Sequence, residues 1–493
     1  MMQEAETIYS EIPKSVPGWI ASLRLEQTIA NRDVPAARRS VVHPADGAVI
    51  AECPEAGVAD VDAAVAAARE AYPGWAALSW SARRARLEAF ADALFQNRKA
   101  LAFIIAAETG RPLRRAWSEV FFSVDFVRTI AAQDLPETVY DRAGLKARLV
   151  HRPLGVVGAI APWNAPVILG VAKIANALLA GDTIVLRPAP QTPLSALFMG
   201  LLAREVFPAG VYNTITGDAA VGAAMAAHPG IAKISFTGST QTGRLIAAAA
   251  APTLKKLTLE LGGNDAAIVL DDADPAEVAA CAYRISLENA GQFCAAIKRL
   301  YVHESLYGAV RDRLLMLMET ASAGSPFEAT STMAPLQSQA QLDRVTGFAE
   351  DAAARGCTVH QRPFAADTQG YFMAPALVEG CEAGMPLVDE EQFGPILPIM
   401  PFRDEEAVLA AANAGEYGLG GSVWSADVER ALALAARLES GTAWVNQHGA
   451  YSAGLPLPFA KQSGVGMDYA HFGVLEHARA MLLNARVPDA APA

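Results

Sequence analysis

From residue 156 to residue 250 short apolar runs alternate with longer helical ones, and nothing else in the chain constrains the fold as strongly. Residues 156–161, 183–186, 211–215 and 233–236 read as strands, and 166–179, 193–207, 219–227 and 240–250 carry helical spacing. Strands alternating with helices in this way predict an α/β fold, a parallel sheet with helices on both faces. Such a sheet binds its ligands at the carboxyl ends of its strands, which directs attention to the loops that follow them.

The flanking regions are less regular. The first forty residues read as irregular, with prolines at 13, 17 and 35, and residues 43–57 as a hairpin turning at Pro44-Ala45-Asp46-Gly47. Helices are expected over 60–72, twice across 81–109, and over 113–133. The last carries Trp117, Phe121, Phe122 and Phe126, which read as core packing, with Trp117 also a candidate for substrate contact. A strand over 145–151 follows a loop or hairpin. Two strands flank Gly262-Gly263, and a second alternating half runs from a helix at 275–288 to a strand at 442–446. The tail, 474–493, reads as helical and then Ala/Pro-rich, suited to docking or assembly.

Composition excludes several classes of function. At 493 residues the chain is too long for one core. Its 40 basic against 52 acidic residues give a net charge of −12, which argues against a nucleic-acid or anionic-membrane partner. The longest apolar stretch, 156–180, is interrupted by Pro162, Asn164, Pro166, Lys173 and Asn176, so no membrane span is expected. Five dispersed cysteines without a C-x-x-C pair predict reduced thiols and no metal site. With no signal-peptide pattern at the N-terminus, a cytoplasmic location is the expectation.

Four stretches carry chemistry. Pro162-Trp163-Asn164-Ala165-Pro166 is a rigid turn after a strand; its asparagine amide suits an oxyanion donor or a cap for the next helix. Phe236-Thr237-Gly238-Ser239 leads to Gly243 at the start of a helix, the setting of a phosphate site or of an ordinary glycine-hinged turn. It is no P-loop, because Arg244-Leu245 stands where Lys-Ser/Thr is required. Glu260-Leu261-Gly262-Gly263 sets a carboxylate in a turn, as a general base in a dry pocket or a surface glutamate. Gly291-Gln292-Phe293-Cys294 presents a thiol, as a nucleophile or a core residue. A fifth stretch, Asp389 to Pro395, could hold sugar hydroxyls with Glu391 and an apolar ring with Phe393.

Taken together, these motifs resemble those of the aldehyde dehydrogenase superfamily over nearly the whole chain: P-W-N-x-P, F-T-G-S-x-x-x-G, E-L-G-G, G-Q-x-C, E-x-F-G-P, W-V-N and K-x-S-G in family order. The resemblance implies a coenzyme-binding domain (1–127 and 151–262), a catalytic domain (263–462) and an oligomerisation element (128–150 and 463–493). It implies oxidation of an aldehyde to the acid with NAD, in a homodimer or homotetramer. Cys294 would be the nucleophile, Asn164 the oxyanion donor, Glu260 the base for hydrolysis and Lys173 a proton relay. Trp163, Arg187, Gly238, Ser239, Gly243, Leu261, Glu391 and Phe393 would hold the cofactor.

The chain departs from the family pattern in three places. Where the family reads K-P-A/S-E, this chain has Arg187-Pro188-Ala189-Pro190. Loss of that glutamate weakens repulsion of a 2′-phosphate, and Arg187 could pair with one, so tolerance of NADP is expected. Asn264-Asp265 after E-L-G-G is expected to matter little, and residues 456–464 lose glycines, stiffening a wall near the substrate. Small residues Ala165, Gly170 and Ala172, with Phe293, His448 and Tyr451, suggest a roomy, partly aromatic entrance for medium or bulky aldehydes. CoA-acylating relatives generally lack the glutamate present here as Glu260, and a non-catalytic protein would have no need of Cys294, Glu260 and Asn164 together.

Overall fold

The computed structural model describes residues 7–135, 137–142, 145–364 and 369–486. The alternating region forms the parallel heart of an eight-stranded sheet. From one edge its order is Arg32–Val34, Gln27–Ile29, Tyr212–Thr214, Thr183–Arg187, Val156–Ile160, Lys233–Thr237, Lys256–Glu260 and Gly464–Val465. The chain starts at Val156–Ile160, builds outward on one side, then crosses to the other at Lys233–Thr237. The carboxyl ends of these two neighbours therefore form a switch point where loops diverge and leave a crevice. The helix Pro166–Ala180 is buried along its whole length, which its almost uniformly apolar sequence requires.

A second sheet, in the order Thr358–Gln361, Ala376–Glu379, Ile396–Phe402, Ile297–His303, Asp265–Val269, Gly420–Trp424 and Thr442–Val445, is parallel except at its first strand. The chain crosses from the first sheet to the second between Glu260 and Asp265. The glycines there are needed for close approach: a Cβ on Gly262 would lie 2.3 Å from a Glu391 oxygen, and one on Gly263 would lie 2.7 Å from the Cys294 carbonyl. A three-stranded antiparallel sheet joins Ala478–Arg486, Leu145–Pro153 and Thr138–Arg142. Among the described residues no helix is long and apolar enough to cross a membrane.

Two regions differ from expectation. The first forty residues are not irregular. Val16–Ser22 is a helix whose first turn donates to the Ser15 hydroxyl, and Gln27–Ile29 with Arg32–Val34 extends the large sheet. The helix expected from residue 474 is confined to Ala470–Glu476, and Ala478–Arg486 is a strand registered from Pro153 to Leu145. Its helix-forming residues yield to a ladder of backbone hydrogen bonds, tertiary pairing overriding local preference. The Ala/Pro-rich end, 487–493, lies outside the described residues.

The candidate active site

Cys294 lies in the turn just ahead of the strand Ile297–His303, and Glu260 is the last residue of Lys256–Glu260. The two meet at the junction of the sheets, the thiol donating to Glu260 Oε1 at 3.3 Å. The parallel register sets Thr237 opposite Glu260. The Thr237 hydroxyl donates to Glu260 Oε2 at 3.0 Å and accepts from Lys173 Nζ at 2.8 Å. A continuous chain of polar atoms thus runs from Lys173 through Thr237 and Glu260 to the sulfur.

Burial shapes the charge of every member. It raises the Glu260 carboxyl, against the pull of Lys173 and the hydrogen bonds from Cys294 and Thr237. It lowers Lys173, against the carboxylates of Asp468 and Glu260. The Cys294 thiol is pushed well above its usual range by burial and then by Glu260, while Lys298 opposes the rise. A carboxyl raised above its ordinary value is a stronger proton acceptor, which is what a general base requires.

Asn164 is buried, and its side-chain amide donates to the Gln292 carbonyl at 3.1 Å, leaving its second N–H uncommitted. Its loop is held from behind. The Asn164 carbonyl accepts from Arg111 and, at 2.9 Å, from Asn289. Arg111 pairs with Glu119, whose other oxygen accepts the Val167 and Ile168 N–H groups at the start of Pro166–Ala180.

A cleft of about 230 Å³ opens from Cys294 over the switch point. Trp163, Asn164, Gly238, Ser239, Leu261, Glu391 and Phe393 line it, with Thr237, Gln341 and Arg344, which the sequence reading did not select. The Trp163 and Phe393 rings meet edge to face at 5.5 Å. The Ser239 hydroxyl caps the helix Thr240–Ala250, and Gly243 packs in its first turn against Leu261. A larger groove of about 750 Å³, lined by residues such as Tyr301, Phe402 and Arg403, holds none of these groups.

On the other side of the sulfur, Phe293, Tyr451, Trp444 and Phe459 form one apolar cluster with Cys294. The Phe293 and Tyr451 rings lie 6.3 Å apart, edge to face. Phe459, within the segment that lost its glycines, went unselected because nothing local marks it.

Four placements correct the sequence reading. Trp117 is 2% exposed, packed against Phe121 in the helical core and absent from both sides of the site. His448 is equally buried behind Trp444, its Nδ1 paired with the Ser422 hydroxyl at 2.9 Å. Gly170 faces Met199 and Ala172 is in the core, so neither widens an entrance. Arg187 is not a free guanidinium: Nη2 donates to the Gly217 and Asp218 carbonyls at 2.7 Å each, while Nε is buried with no partner among the described residues. Burial lowers it to about 10.

The sequence model of the aldehyde dehydrogenase family matches residues 33–481. Phenylacetaldehyde dehydrogenase of Pseudomonas fluorescens is 38% identical, over 89% of this chain and 90% of that protein. Human retinaldehyde dehydrogenase 3 is 35% identical, over 91% and 90%. Betaine aldehyde dehydrogenase of Staphylococcus aureus, solved in complex with NAD+, superposes with a TM-score of 0.93 at 30% identity, covering 98% of each chain. With relatives matched along nearly their whole length and a shared fold, this chain belongs to the aldehyde dehydrogenase family.

Proposed function

We propose that the protein oxidises medium or bulky aldehydes, aromatic ones included, to carboxylic acids with NAD+ through a covalent cysteine intermediate. The observation that carries this is the Lys173–Thr237–Glu260–Cys294 chain ending beside an amide donor. The Cys294 sulfur bonds to the aldehyde carbon while its proton passes to Glu260. The oxygen, now negative, is met by the free N–H of Asn164 and by the Cys294 N–H, which has no protein acceptor among the described residues. Bound NAD+ supplies the hydride acceptor that leaves the sulfur carrying a thioester. Glu260 first releases the thiol's proton to solvent and then takes a proton from water as the water oxygen attacks the thioester carbon; the C–S bond breaks, the acid departs, and Glu260 returns that proton to the sulfur.

The residues present fit such a cofactor. Glu391 Oε2 faces the cleft with no protein donor among the described residues, as a carboxylate awaiting ribose hydroxyls would. With Arg187 tied to two carbonyls, tolerance of NADP rests on Pro190 standing where a carboxylate would repel the phosphate, and complete absence of NADP turnover would overturn it. The substrate preference rests on Phe293, Tyr451 and Phe459 beside the sulfur, and is in keeping with the names of the phenylacetaldehyde and retinaldehyde relatives. The sheet containing Thr138–Arg142 and Ala478–Arg486 exposes Val139, Tyr140, Met481, Leu482 and Leu483, suited to assembly as a homodimer or homotetramer.

Stopped-flow NADH formation over an aldehyde panel, with both cofactors, tests the reading. A burst abolished by Cys294→Ala is expected. A burst surviving that change, or acetaldehyde giving the highest kcat/KM, refutes the mechanism or the substrate class respectively. Formation of acyl-CoA in place of acid would favour the acylating alternative.

A further inference from the structure

Lys298 stands four residues beyond Cys294, at the start of Ile297–His303, with its side chain only 3% exposed. A buried ammonium is costly unless its protons meet acceptors. Here Nζ donates to the Cys294 backbone carbonyl and to Glu391 Oε1 at 3.1 Å, and sits 5.9 Å from the centre of the Phe393 ring. The Gly263 N–H also donates to Glu391 Oε1, at 3.1 Å. Two donors therefore fix one oxygen of Glu391 and leave the other turned to the cleft. The bond to the Cys294 carbonyl fixes the turn that displays the sulfur.

We propose that Lys298 is a positioning residue for both halves of the reaction, holding Glu391 for the cofactor ribose and favouring the ionised form of the Cys294 thiol. The inference rests on the reading of Cys294 as nucleophile and Glu391 as ribose holder. The groups facing the sulfur are Glu260 from the first sheet, Lys298 from the second, Glu391 from the loop ahead of Ile396–Phe402, and the Tyr451 and Tyr469 phenols. Burial and both carboxylates disfavour a thiolate, and Lys298 is the cation that counters them. Because the same ammonium binds Glu391, the charge that readies the sulfur and the group that receives the cofactor are mechanically one unit.

The test uses the full-length protein without cofactor. The rate of Cys294 alkylation by iodoacetamide is followed by mass spectrometry from about pH 6 to about pH 10, a range below the raised inflection, where it is proportional to the ionised fraction. Lys298→Met is expected to slow alkylation about tenfold throughout that range. Lys298→Arg should restore most of the rate. Lys298→Gln, which keeps a donor for the Cys294 carbonyl, guards against simple loss of the turn, and it too should slow alkylation. Wild-type alkylation rates in folded Lys298→Met and Lys298→Gln overturn the proposal. NAD+ titration supplies the second readout: Lys298→Met and Glu391→Gln should each weaken binding, and the double variant little more than either alone. Fully additive losses overturn the Glu391 half. A burst that survives Cys294→Ala defeats the underlying mechanism whatever the alkylation rates. A burst lost in Cys294→Ala with unchanged Lys298→Met alkylation defeats the Lys298 proposal alone.

Discussion

Replacing Thr237 by valine removes one hydroxyl and almost no volume, yet it cuts the chain between Lys173 and Glu260. The hydroxyl donates to Glu260 Oε2 at 3.0 Å and accepts from Lys173 Nζ at 2.8 Å. Lys173 then keeps only the Ser235 hydroxyl at 3.4 Å. A hydrogen bond to a charged group contributes about 1.5 to 3 kcal/mol, and one pKa unit corresponds to about 1.4 kcal/mol. The lost bond favoured the ionised carboxylate, so its removal raises the Glu260 carboxyl further, beyond the rise burial already imposes. At a pH below that value the ionised fraction falls about ten- to a hundredfold, and hydrolysis of the thioester slows with it. Stopped-flow NADH formation should keep a burst of full amplitude, though a slower one because Glu260 also receives the thiol's proton, while the steady state falls by that factor. The acid limb of the kcat profile should move to higher pH, with activity recovering in alkaline buffer. A burst that shrinks in step with turnover, on an unmoved acid limb, would refute the reasoning.

Trp117→Phe should leave the substrate panel unchanged and cost about 1 kcal/mol of stability at most, since a buried Nε1 without a partner is removed along with the lost volume. Denaturant melts and kcat/KM ratios check both halves, and a changed aldehyde preference would return Trp117 to the site. Gly243→Ala places a Cβ 2.5 Å from Leu261, so that side chain must swing toward the cofactor cleft. The KM for NAD+ should rise several-fold while Cys294 alkylation in the apoenzyme stays as it was. Asp182 is fully buried, accepts the Leu154 and Gly155 N–H groups through one oxygen, and is pushed up to about 8 by burial. Its folded value exceeds the unfolded one, so its stabilising contribution is complete below about pH 4 and is lost as pH rises through the folded value. Asp182→Asn keeps the acceptor and does not titrate. The melting temperature of the wild type should therefore fall relative to this variant between about pH 4 and about pH 8 and level off above, and parallel curves would contradict the assignment.

The sequence revealed those parts of the site that make local demands on the backbone. Gly262 and Gly263 are needed where two sheets pass each other, and Pro162 and Pro166 stiffen a turn, so Glu260, Asn164 and Cys294 stood out in short windows. Thr237 and Lys298 did not, because each occupies an unremarkable strand position and its role depends on register and on which strands become neighbours. His448 looked available beside Trp444 and Tyr451, and only the packing of those rings shows that it lies behind them. The strand Ala478–Arg486 read as helix because its residues favour one, and its pairing with Leu145–Pro153 is a contact across most of the chain.

The antiparallel strand Gly464–Val465 has a consequence in time. It pairs with Leu259 and Glu260, and the neighbouring Ser463 carbonyl accepts the Leu261 N–H at 2.9 Å. It is also the last strand of its sheet to be synthesised. A nascent chain that has emerged as far as residue 462 already contains Asn164, Glu260 and Cys294, but the strand bearing the base is still an open edge. Competence therefore waits for Gly464 and Val465 to emerge. A message truncated shortly before them encodes the complete set of reacting groups in a protein that should remain inert.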